Sequence, residues 1–295
     1  MTDTLFLGDR SYSSWSMRAW LLCDVFDIPV SVQMVDFNLT SVAEQLPAMA
    51  PARTVPAMMF QDGTLVWDSL AIAEELASRH PEAGLWPADP VARARARSLS
   101  AEMHSSFAAL RTDCPMNLRV AYTDVPHTPD VLADVARIDA LWNWARARLA
   151  PTDGPWLCGA YTIVDAMFAP VAARLAGYDL PMSQTARKYV MSHLHHGPFR
   201  RWRAMGLAQG DTLPWYARDY PTKTWPGPER AQAQARDAGP AVNDLCPYSQ
   251  SHVKHFLEYD GQIWGMCNAF CRDKTVADPE AWPAFTKMVA AMSKA

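Results

Sequence analysis

Hydrophobic residues in the first part of the chain follow two different spacings, one typical of strands and one typical of helices. Short apolar or alternating runs at residues 5–7, 30–37, 57–61 and 64–67 are typical of β-strands, and an Asp-Gly pair joins the last two in a predicted hairpin. Stretches with apolar residues three and four positions apart lie between and after these runs. Residues 1–80 are therefore predicted to run strand, helix, strand, helix, strand, strand, helix.

The pattern changes further along the chain. A Pro/Gly-rich stretch over 80–88 predicts a linker, and residues 89–206 carry mostly helical periods. Residues 207–239 start with prolines and aromatic residues, which predict an extended arm over the helical domain, and end in a short helix or linker. Residues 240–295 contain a second hairpin pattern followed by a helix. We therefore predict an α/β domain, an all-α domain, an arm and a small α+β module.

Composition narrows the class of protein. The 295 residues suit about two domains with a small appendage, and 49% hydrophobic residues can fill a core. A net charge of −4 disfavours nucleic acid as a partner. No apolar run approaches the ~20 residues that span a bilayer, and no basic segment precedes an apolar one at the N-terminus. We expect no membrane contact, no secretory signal and a cytoplasmic location.

A serine-rich segment marks the start of the first predicted helix. Residues 11–16 carry four serines directly after the first strand and a Gly-Asp-Arg turn. A helix N-terminus holds anions, because its first backbone N–H groups are unpaired. A thiolate is such an anion, and a serine hydroxyl that donates to it would lower the pKa of the thiol. The plainer alternative is that these serines only cap the helix.

Three short motifs occur together in a recognisable order. They are Ser13-Ser14-Trp15-Ser16, Val55-Pro56 and Asp68-Ser69-x-Ala71-Ile72. In this order the chain resembles the glutathione S-transferase superfamily. The resemblance implies a thioredoxin-like N-terminal domain, an all-α helical domain, glutathione as cosubstrate and a homodimer. It covers about the first 205 residues.

The same resemblance assigns roles to the serines. Ser13 occupies the first position of the family's Cys/Ser-x-x-Cys/Ser turn and is the predicted thiolate donor. Ser14 and Ser16 remain alternatives, because a shift of the helix start by one residue changes which hydroxyl points inward. The serine pattern is most similar to the zeta-like members, which isomerise maleyl-type keto acids.

Five residues are expected to bind glutathione. The resemblance implies that Val55 offers its main-chain groups to the cysteinyl part, with Pro56 in cis. It places Asp68 and Ser69 at the γ-glutamyl end, and Arg53 joins this set. The Asp68 carboxylate could pair with the ammonium group, and the backbone N–H of Ser69 at a helix start could donate to the carboxylate. The alternative for Asp68 is a plain N-cap.

The resemblance also implies that the second substrate binds between the two domains, against the first helices of the helical part. His104 and Arg111 are seven residues apart, so on one helix they would share a face and could hold a small acidic or aromatic electrophile. The alternative is that both face solvent or pair with carboxylates. The predicted pocket residues are Tyr12, Trp15, Met103, His104, Phe107, Arg111 and Asn117.

Two further patterns predict structure rather than chemistry. Thr162 and Asp165 have the spacing of a capping box, which resembles the folding motif of the transferases' helical domain. His193, His195 and His196 are close together, but neighbouring side chains diverge on a helix. We expect these histidines to be structural or exposed.

The C-terminal module carries a separate signal. A predicted hairpin separates Cys246 from Cys267 and Cys271, which lie at the start of a predicted helix. In this arrangement the three cysteines can bind one metal ion, with zinc as the candidate. This spacing resembles small treble-clef-like metal modules of the YHS and TRASH type. Ser249 stands where a fourth cysteine would lie, so the fourth ligand would be His252, His255, a carboxylate or water. The alternative is three buried, reduced cysteines.

The leading hypothesis is a glutathione-dependent transferase or isomerase that acts on a small electrophilic substrate. A second class is a non-catalytic binding or sensor protein whose cysteine module binds metal. A third is a structural partner domain that uses the dimer face of the transferases.

Overall fold

The computed structural model describes residues 2–149 and 154–292. The chain forms two compact units. The first comprises residues 1–194 with 212–226, and the second comprises residues 195–211 with 227–295. This division does not follow the four segments drawn from the sequence, and the predicted domain boundaries stay a prediction.

The first unit begins with a four-stranded sheet and the helices that flank it. The strands lie in the order β2-β1-β3-β4; β1 pairs parallel with β2, and the other pairs are antiparallel. The predicted order of strands and helices is confirmed. The elements are β1 (Asp3–Leu7), α1 (Ser14–Val25), β2 (Val30–Met34), α2 (Val42–Gln45), β3 (Ala57–Met59), β4 (Leu65–Trp67) and α3 (Ser69–Arg79).

A helical domain follows in the same unit. Its central helix, α7, is buried along its whole length, and α1 and α4 both pack against it. The helices are α4 (Pro90–Ser105), α5 (Ala108–Asp113), α6 (Pro129–Leu149), α7 (Ile163–Gly177) and α8 (Gln184–His195). Only two of the fifteen residues of α7 are charged. Because a helix that is apolar on all sides is stable only when it is buried, α7 lies at the centre of the domain.

Residues 212–226 return to the first unit as an arm. A 3-10 turn at Pro214–Tyr216 is followed by β6 (Thr222–Lys223), which pairs antiparallel with β5 (Ala121–Tyr122). The Arg218 guanidinium donates to the Thr112 carbonyl oxygen at 2.9 Å and so ties the arm to the helical domain. This agrees with the extended arm that the prolines and aromatic residues predict.

The second unit contains a three-stranded antiparallel sheet, β7-β8-β9, and helices. Residues expected to form a short helix or linker instead form the strand β7, which pairs with β8; that prediction was wrong, because the Ala-Gln-Ala-Arg alternation has the period of a strand. The predicted Asp-Gly hairpin is present between β8 and β9. The elements are α9 (Gly197–Ala208), β7 (Ala233–Arg236), β8 (His255–Tyr259), β9 (Gln262–Met266), α10 (Ala269–Ala277) and α11 (Pro283–Met292).

Over residues 2–149 and 154–292, every helix is too short or too polar to cross a membrane.

Asp165 organises the start of α7. Its carboxylate accepts from the Thr162 backbone N–H at 2.9 Å, the Leu157 N–H at 3.1 Å and the Tyr189 hydroxyl at 2.8 Å. Burial raises the pKa of Asp165 to about 6, although these hydrogen bonds act in the opposite direction. The capping box predicted from the sequence is therefore present, and it is part of a larger buried network.

His193 packs inside this region. Its ring centroid lies 4.6 Å from that of Tyr189 and 5.1 Å from that of Trp156, in edge-to-face contacts. The structural role expected for this histidine agrees with its burial in an aromatic cluster.

Replacing Thr162 by Ala should lower the free energy of unfolding by about 1 kcal/mol, because the hydroxyl of the helix cap is lost. Denaturant unfolding of the two proteins checks this outcome. Thr162→Ser keeps the hydroxyl and is the matched control; equal destabilisation by both variants would contradict the capping role.

The Asp165 carboxyl should make stability depend on pH. Because its pKa is raised in the folded state, its contribution is fully present below about pH 4 and is lost as the pH rises through 6. Between pH 4 and 7 the free energy of unfolding of the wild type should fall by up to about 3 kcal/mol relative to Asp165→Asn. Parallel pH profiles for the two proteins in denaturant unfolding would contradict the raised pKa.

Candidate functional site

A cavity of about 380 Å³ opens in the first unit at the start of α1. The wall combines serine hydroxyls, aromatic rings and arginines from several elements. The lining residues are Tyr12, Ser13, Ser14, Trp15, Phe37, Val42, Arg53, Thr54, Val55, Arg111, Pro115, Arg174 and Tyr216. Phe37, Val42, Thr54, Pro115, Arg174 and Tyr216 are additions to the set predicted from the sequence.

Ser13 and Ser14 both reach this cavity but are engaged differently. Ser13 caps α1: its Oγ accepts from the Ser16 backbone N–H, and its hydroxyl donates to the Ser16 Oγ at 2.8 Å. The Ser14 Oγ accepts a long hydrogen bond, 3.4 Å, from the Arg174 Nη2. The proton of the Ser13 hydroxyl is therefore directed inward, whereas Ser14 acts as an acceptor in its contact with Arg174.

Ser16 is not on the cavity wall. It is completely buried, and its Oγ accepts from the Gly8 backbone N–H at 3.0 Å. This contact joins the end of β1 to the first turn of α1. The structure thus places Ser16 in a packing position and not among the residues that face a ligand.

Residues 53–55 form the side of the cavity next to β3. Arg53, Thr54 and Val55 line it, and the Val55–Pro56 peptide bond is cis, as the resemblance implies. Pro56 itself does not reach the wall. The segment therefore presents Val55 at the cavity immediately before the chain enters β3.

Asp68 and Ser69 lie at the start of α3, away from the cavity lining. The Asp68 Oδ1 accepts from the Leu70 N–H at 2.8 Å, so the capping alternative describes this oxygen. Asp68 has φ 77° and ψ 132°, which lies outside the left-handed helical region and is sparsely populated by residues other than glycine. The buried Ser69 Oγ has no hydrogen-bond partner in the described part of the chain.

Trp15 is the centre of a group of basic side chains. The guanidinium carbons of Arg18 and Arg111 lie 4.3 and 4.6 Å from its ring centroid. The His104 ring meets Trp15 edge to face at 5.1 Å, and the His104 Nε2 lies 3.1 Å from the Asp68 Oδ2. Burial lowers the pKa of His104, with Asp68 opposing this effect.

The shared helix face expected for His104 and Arg111 does not exist. His104 lies in the last turn of α4 and Arg111 lies on α5, and between them Phe107 adopts a φ of +66°. Such a conformation costs on the order of 1–3 kcal/mol for a bulky residue and breaks the helix. Both side chains nevertheless reach Trp15, because the break redirects α5.

Three other predicted pocket residues are buried off the cavity. Met103 and Phe107 belong to the hydrophobic core, and the Met103 carbonyl oxygen accepts from the Arg111 guanidinium. The Asn117 Oδ1 accepts from the Arg119 backbone N–H at 3.0 Å, which forms a local turn. The resemblance implied that these residues contact the second substrate, but Met103 and Phe107 pack in the core and Asn117 holds a local turn.

Arg174 was missed by the sequence analysis. It crosses from α7 to the cavity and donates to the Cys114 carbonyl oxygen at 2.9 Å and to the Pro170 carbonyl oxygen at 3.3 Å. The signal was present: Arg174 and Asp165 are the charges in an otherwise apolar helix. A charged side chain on a buried helix is rarely found without a polar partner.

Tyr216 closes another side of the cavity. It comes from the arm, and its ring stacks on that of Tyr12 with centroids 4.9 Å apart. No local pattern could assign Tyr216 to this site, because the contact joins residues about two hundred positions apart.

In the second unit, the three cysteines predicted as metal ligands come together. The Sγ atoms of Cys246, Cys267 and Cys271 all lie within 4.8 Å of one another. Within the described ranges no histidine or carboxylate joins this group, so the suggested ligands His252 and His255 are not part of it. Cys246 and Cys271 are buried and Cys267 is half-buried.

The donor chemistry of this cluster fits a soft or borderline cation such as zinc. Burial raises the pKa of Cys246, but backbone N–H groups of Tyr248, Cys267 and Ser249 donate to its sulfur and hold the pKa below the usual value. Burial raises the pKa of Cys271 to about 12, and Lys274 opposes it. The sulfur of Cys246 thus accepts hydrogen bonds from backbone N–H groups.

Sequence comparison finds a family match in the N-terminal part of the first unit. Residues 12–79 match the family described as glutathione S-transferase, N-terminal domain. A probable maleylacetoacetate isomerase from Caenorhabditis elegans is 35% identical over 91 residues. That match covers 31% of this chain and 41% of the relative, so it spans less than half of either protein.

Solved structures extend the likeness to the helical domain. A glutathione transferase homologue from Burkholderia, with bound glutathione, matches 70% of this chain and 98% of its own at a TM-score of 0.53 and 22% identity. Glutathione transferase Omega 2S from Trametes versicolor matches 73% and 99% at 0.54 and 19%. The chain has the glutathione transferase fold, a thioredoxin-like domain followed by a helical domain.

Proposed function

We propose that the protein is a glutathione-dependent transferase or isomerase that acts on a small electrophile. The observation that carries this proposal is the cavity at the start of α1, whose lining includes Ser13, Ser14 and Val55. The family match over residues 12–79 includes all three residues. Glutathione bound to the Burkholderia homologue supports the choice of cosubstrate.

In the proposed reaction, the glutathione sulfur lies at the start of α1 as a thiolate. The helix N-terminus and a serine hydroxyl stabilise this charge, and the thiolate attacks an electrophilic carbon. Val55, Pro56, Arg53, Asp68 and Ser69 remain the proposed glutathione-binding residues. The position of Ser69 at the N-terminus of α3 supports its role at the γ-glutamyl carboxylate.

We assign the thiolate donor to Ser14 in preference to Ser13, the residue favoured by the sequence. Ser13 already uses its hydroxyl proton in the bond to Ser16, and its oxygen caps the helix. Ser14 receives a hydrogen bond from Arg174, which polarises its hydroxyl and leaves the proton free to point at a thiolate.

Isomerisation is the narrower form of this proposal. The Caenorhabditis elegans relative, a probable maleylacetoacetate isomerase, supports it. Glutathione would add to a cis double bond, the resulting single bond would rotate, and elimination would release the trans product together with unchanged glutathione. The homodimer and the cytoplasmic location remain predictions.

Ser14→Ala should raise the pKa of the bound glutathione thiol and lower kcat/KM by about 10- to 100-fold near neutral pH, because a hydrogen bond to a charge is lost. Thiolate absorbance during a pH titration and kinetics with 1-chloro-2,4-dinitrobenzene measure the two effects. Ser13→Gly is the control, since glycine is a tolerated N-cap. A shift confined to Ser13→Gly would return the role to Ser13.

We also propose that Cys246, Cys267 and Cys271 bind zinc. The convergence of the three sulfur atoms supports this second function. Three thiolates leave a fourth tetrahedral position, which water or another exogenous ligand can fill. If glutathione-dependent turnover is absent while zinc binds, the protein belongs to the alternative class, a transferase-like binding or sensor protein.

Protein purified without chelator should contain about one zinc per chain by elemental analysis. Cys246→Ala and Cys267→Ala should each lose this zinc, whereas Cys158→Ala, in the first unit and outside the cluster, should retain it. Chelation should lower the Tm, since metal binding contributes to folding. Failure to take up zinc after anaerobic reduction would mean that the three cysteines only pack together.

A further inference from the structure

Zinc bound by the three-cysteine cluster of the second unit would have one coordination position left. The Sγ atoms of Cys246, Cys267 and Cys271 provide three ligands, and zinc in proteins takes four in a tetrahedral arrangement. Structural zinc sites are closed by four protein ligands, whereas catalytic sites keep the fourth position for water or a substrate. The fourth ligand therefore determines what this cluster can do.

The nearby His252 points away from the cluster. It forms an isolated antiparallel bridge with Leu245, and residues opposite each other in such a pair direct their side chains to the same face. Leu245 and His252 are both exposed, whereas Cys246, the residue after Leu245, is buried. Because successive side chains of an extended chain alternate between faces, Cys246 points to the cluster and His252 points to solvent.

The acidic residues closest in sequence do not complete the cluster either. Neither Asp244 nor Asp273 belongs to the group of ligand atoms that lie within 4.8 Å of one another. Asp244 is exposed, and the Asp273 Oδ1 accepts from the Arg272 Nε at 2.7 Å. Of the histidine, cysteine and acidic side chains that the structure describes, only the three cysteines are therefore assembled at this site.

One side of the cluster is accessible from solution. Cys246 and Cys271 are buried, but Cys267 is half-buried. The exposed residues Ser249 and Asn268 border the cluster: the Ser249 backbone N–H donates to the Cys246 sulfur, and the Asn268 Nδ2 donates to the Cys267 Sγ at 3.4 Å. A small molecule can therefore approach a bound ion on the side of Cys267.

A positive charge beside the cluster suits an anionic ligand. Zinc with three thiolates carries one net negative charge. The Lys274 ammonium of α10 attracts the Cys271 thiolate, and it lies 3.8 and 4.1 Å from the ring centroids of Tyr248 and Trp282, which hold it in place. This ammonium offsets the excess negative charge, so an anionic fourth ligand costs less free energy than it would at an isolated ion with three thiolates.

We propose that zinc held by Cys246, Cys267 and Cys271 takes a small free thiol as its fourth ligand and keeps it as a thiolate. The proposal rests on the proposed zinc site. A thiol fits because zinc binds thiolate sulfur well and deprotonates a coordinated thiol. In the exchange, the Zn–O bond to a bound water breaks, the Zn–S bond forms, and the thiol proton passes to solvent. The bound sulfur is then a nucleophile at neutral pH.

Cobalt(II) in place of zinc makes the fourth ligand visible, because each Co–S bond contributes a charge-transfer absorbance in the near ultraviolet. Anaerobic addition of 2-mercaptoethanol to the cobalt-loaded full chain should raise this absorbance by about one-third, since a fourth sulfur joins three. Ethylene glycol, which has a hydroxyl where 2-mercaptoethanol has the thiol, should leave it unchanged. Calorimetry of the zinc-loaded protein in buffers of different ionisation enthalpy should record about one proton released per thiol bound.

Two pairs of variants test the position and the charge. Ser249→Cys offers a fourth protein thiolate, so it should retain the metal and lose the response to 2-mercaptoethanol; Ser249→Ala is the matched control and should keep both. Lys274→Met should weaken thiol binding by about 10-fold with the metal retained, because the balancing charge is lost. Lys274→Arg keeps the charge and should bind the thiol as the wild type does.

The outcomes separate the two proposals. A reduced protein that takes up neither zinc nor cobalt would overturn the zinc site itself. Metal uptake without a change in the Co–S absorbance on addition of 2-mercaptoethanol would overturn the thiol assignment and leave the zinc site intact. A response that appears only in His252→Ala would likewise overturn it, because His252 would then be the fourth ligand of the wild type.

Discussion

Arg18 on α1 and Arg174 on α7 each extend a guanidinium group across to the other helix. The Arg18 Nε donates to the Met167 carbonyl oxygen at 3.1 Å, and the Arg174 Nη2 reaches the Ser14 Oγ. Both side chains are buried, and a buried charge that loses its partners costs several kcal/mol. The reciprocal contacts therefore fix α1 against α7, and with it the orientation of the serines at the start of α1.

The same constraint links the two domains of the transferase fold through the cavity. The thioredoxin-like domain contributes the serines and Val55, whereas the helical domain contributes Arg111 and Arg174. Trp15 joins the two contributions, because its ring contacts Arg18 of its own helix and Arg111 of α5. The serines and the arginines of the cavity wall consequently belong to one packed set of side chains.

Local patterns predicted the features that local interactions determine. Strand alternation, the Asp-Gly turns and the cap at Asp165 all appear where the sequence placed them. The proposed metal ligands also converge, because a hairpin fixes the separation of Cys246 and Cys267. By contrast, the break at Phe107 carries no glycine or proline to announce it, and so a false helix face was drawn through His104 and Arg111.

Contacts between distant residues could not be predicted in the same way. Arg174 was visible as a charge in an apolar helix, but which group it meets depends on the packing of α1 on α7. Tyr216 depends on the return of the arm, which the sequence predicts only in outline. Some residues of the cavity wall can therefore be predicted from the sequence. The charges on the wall cannot, because they depend on which distant residues the folded chain brings together.

The order of segments also limits how the chain can be dissected. Residues 195–211 belong to the second unit, the arm at 212–226 belongs to the first, and the chain then returns to the second. A truncation at any single point thus leaves one unit with a missing piece or a foreign one. A chain that ends before the arm would lack Tyr216 and so part of the cavity wall. An exchange of the cysteine-containing unit must therefore join the chains after Pro226 and must also transfer α9, which belongs to the same unit.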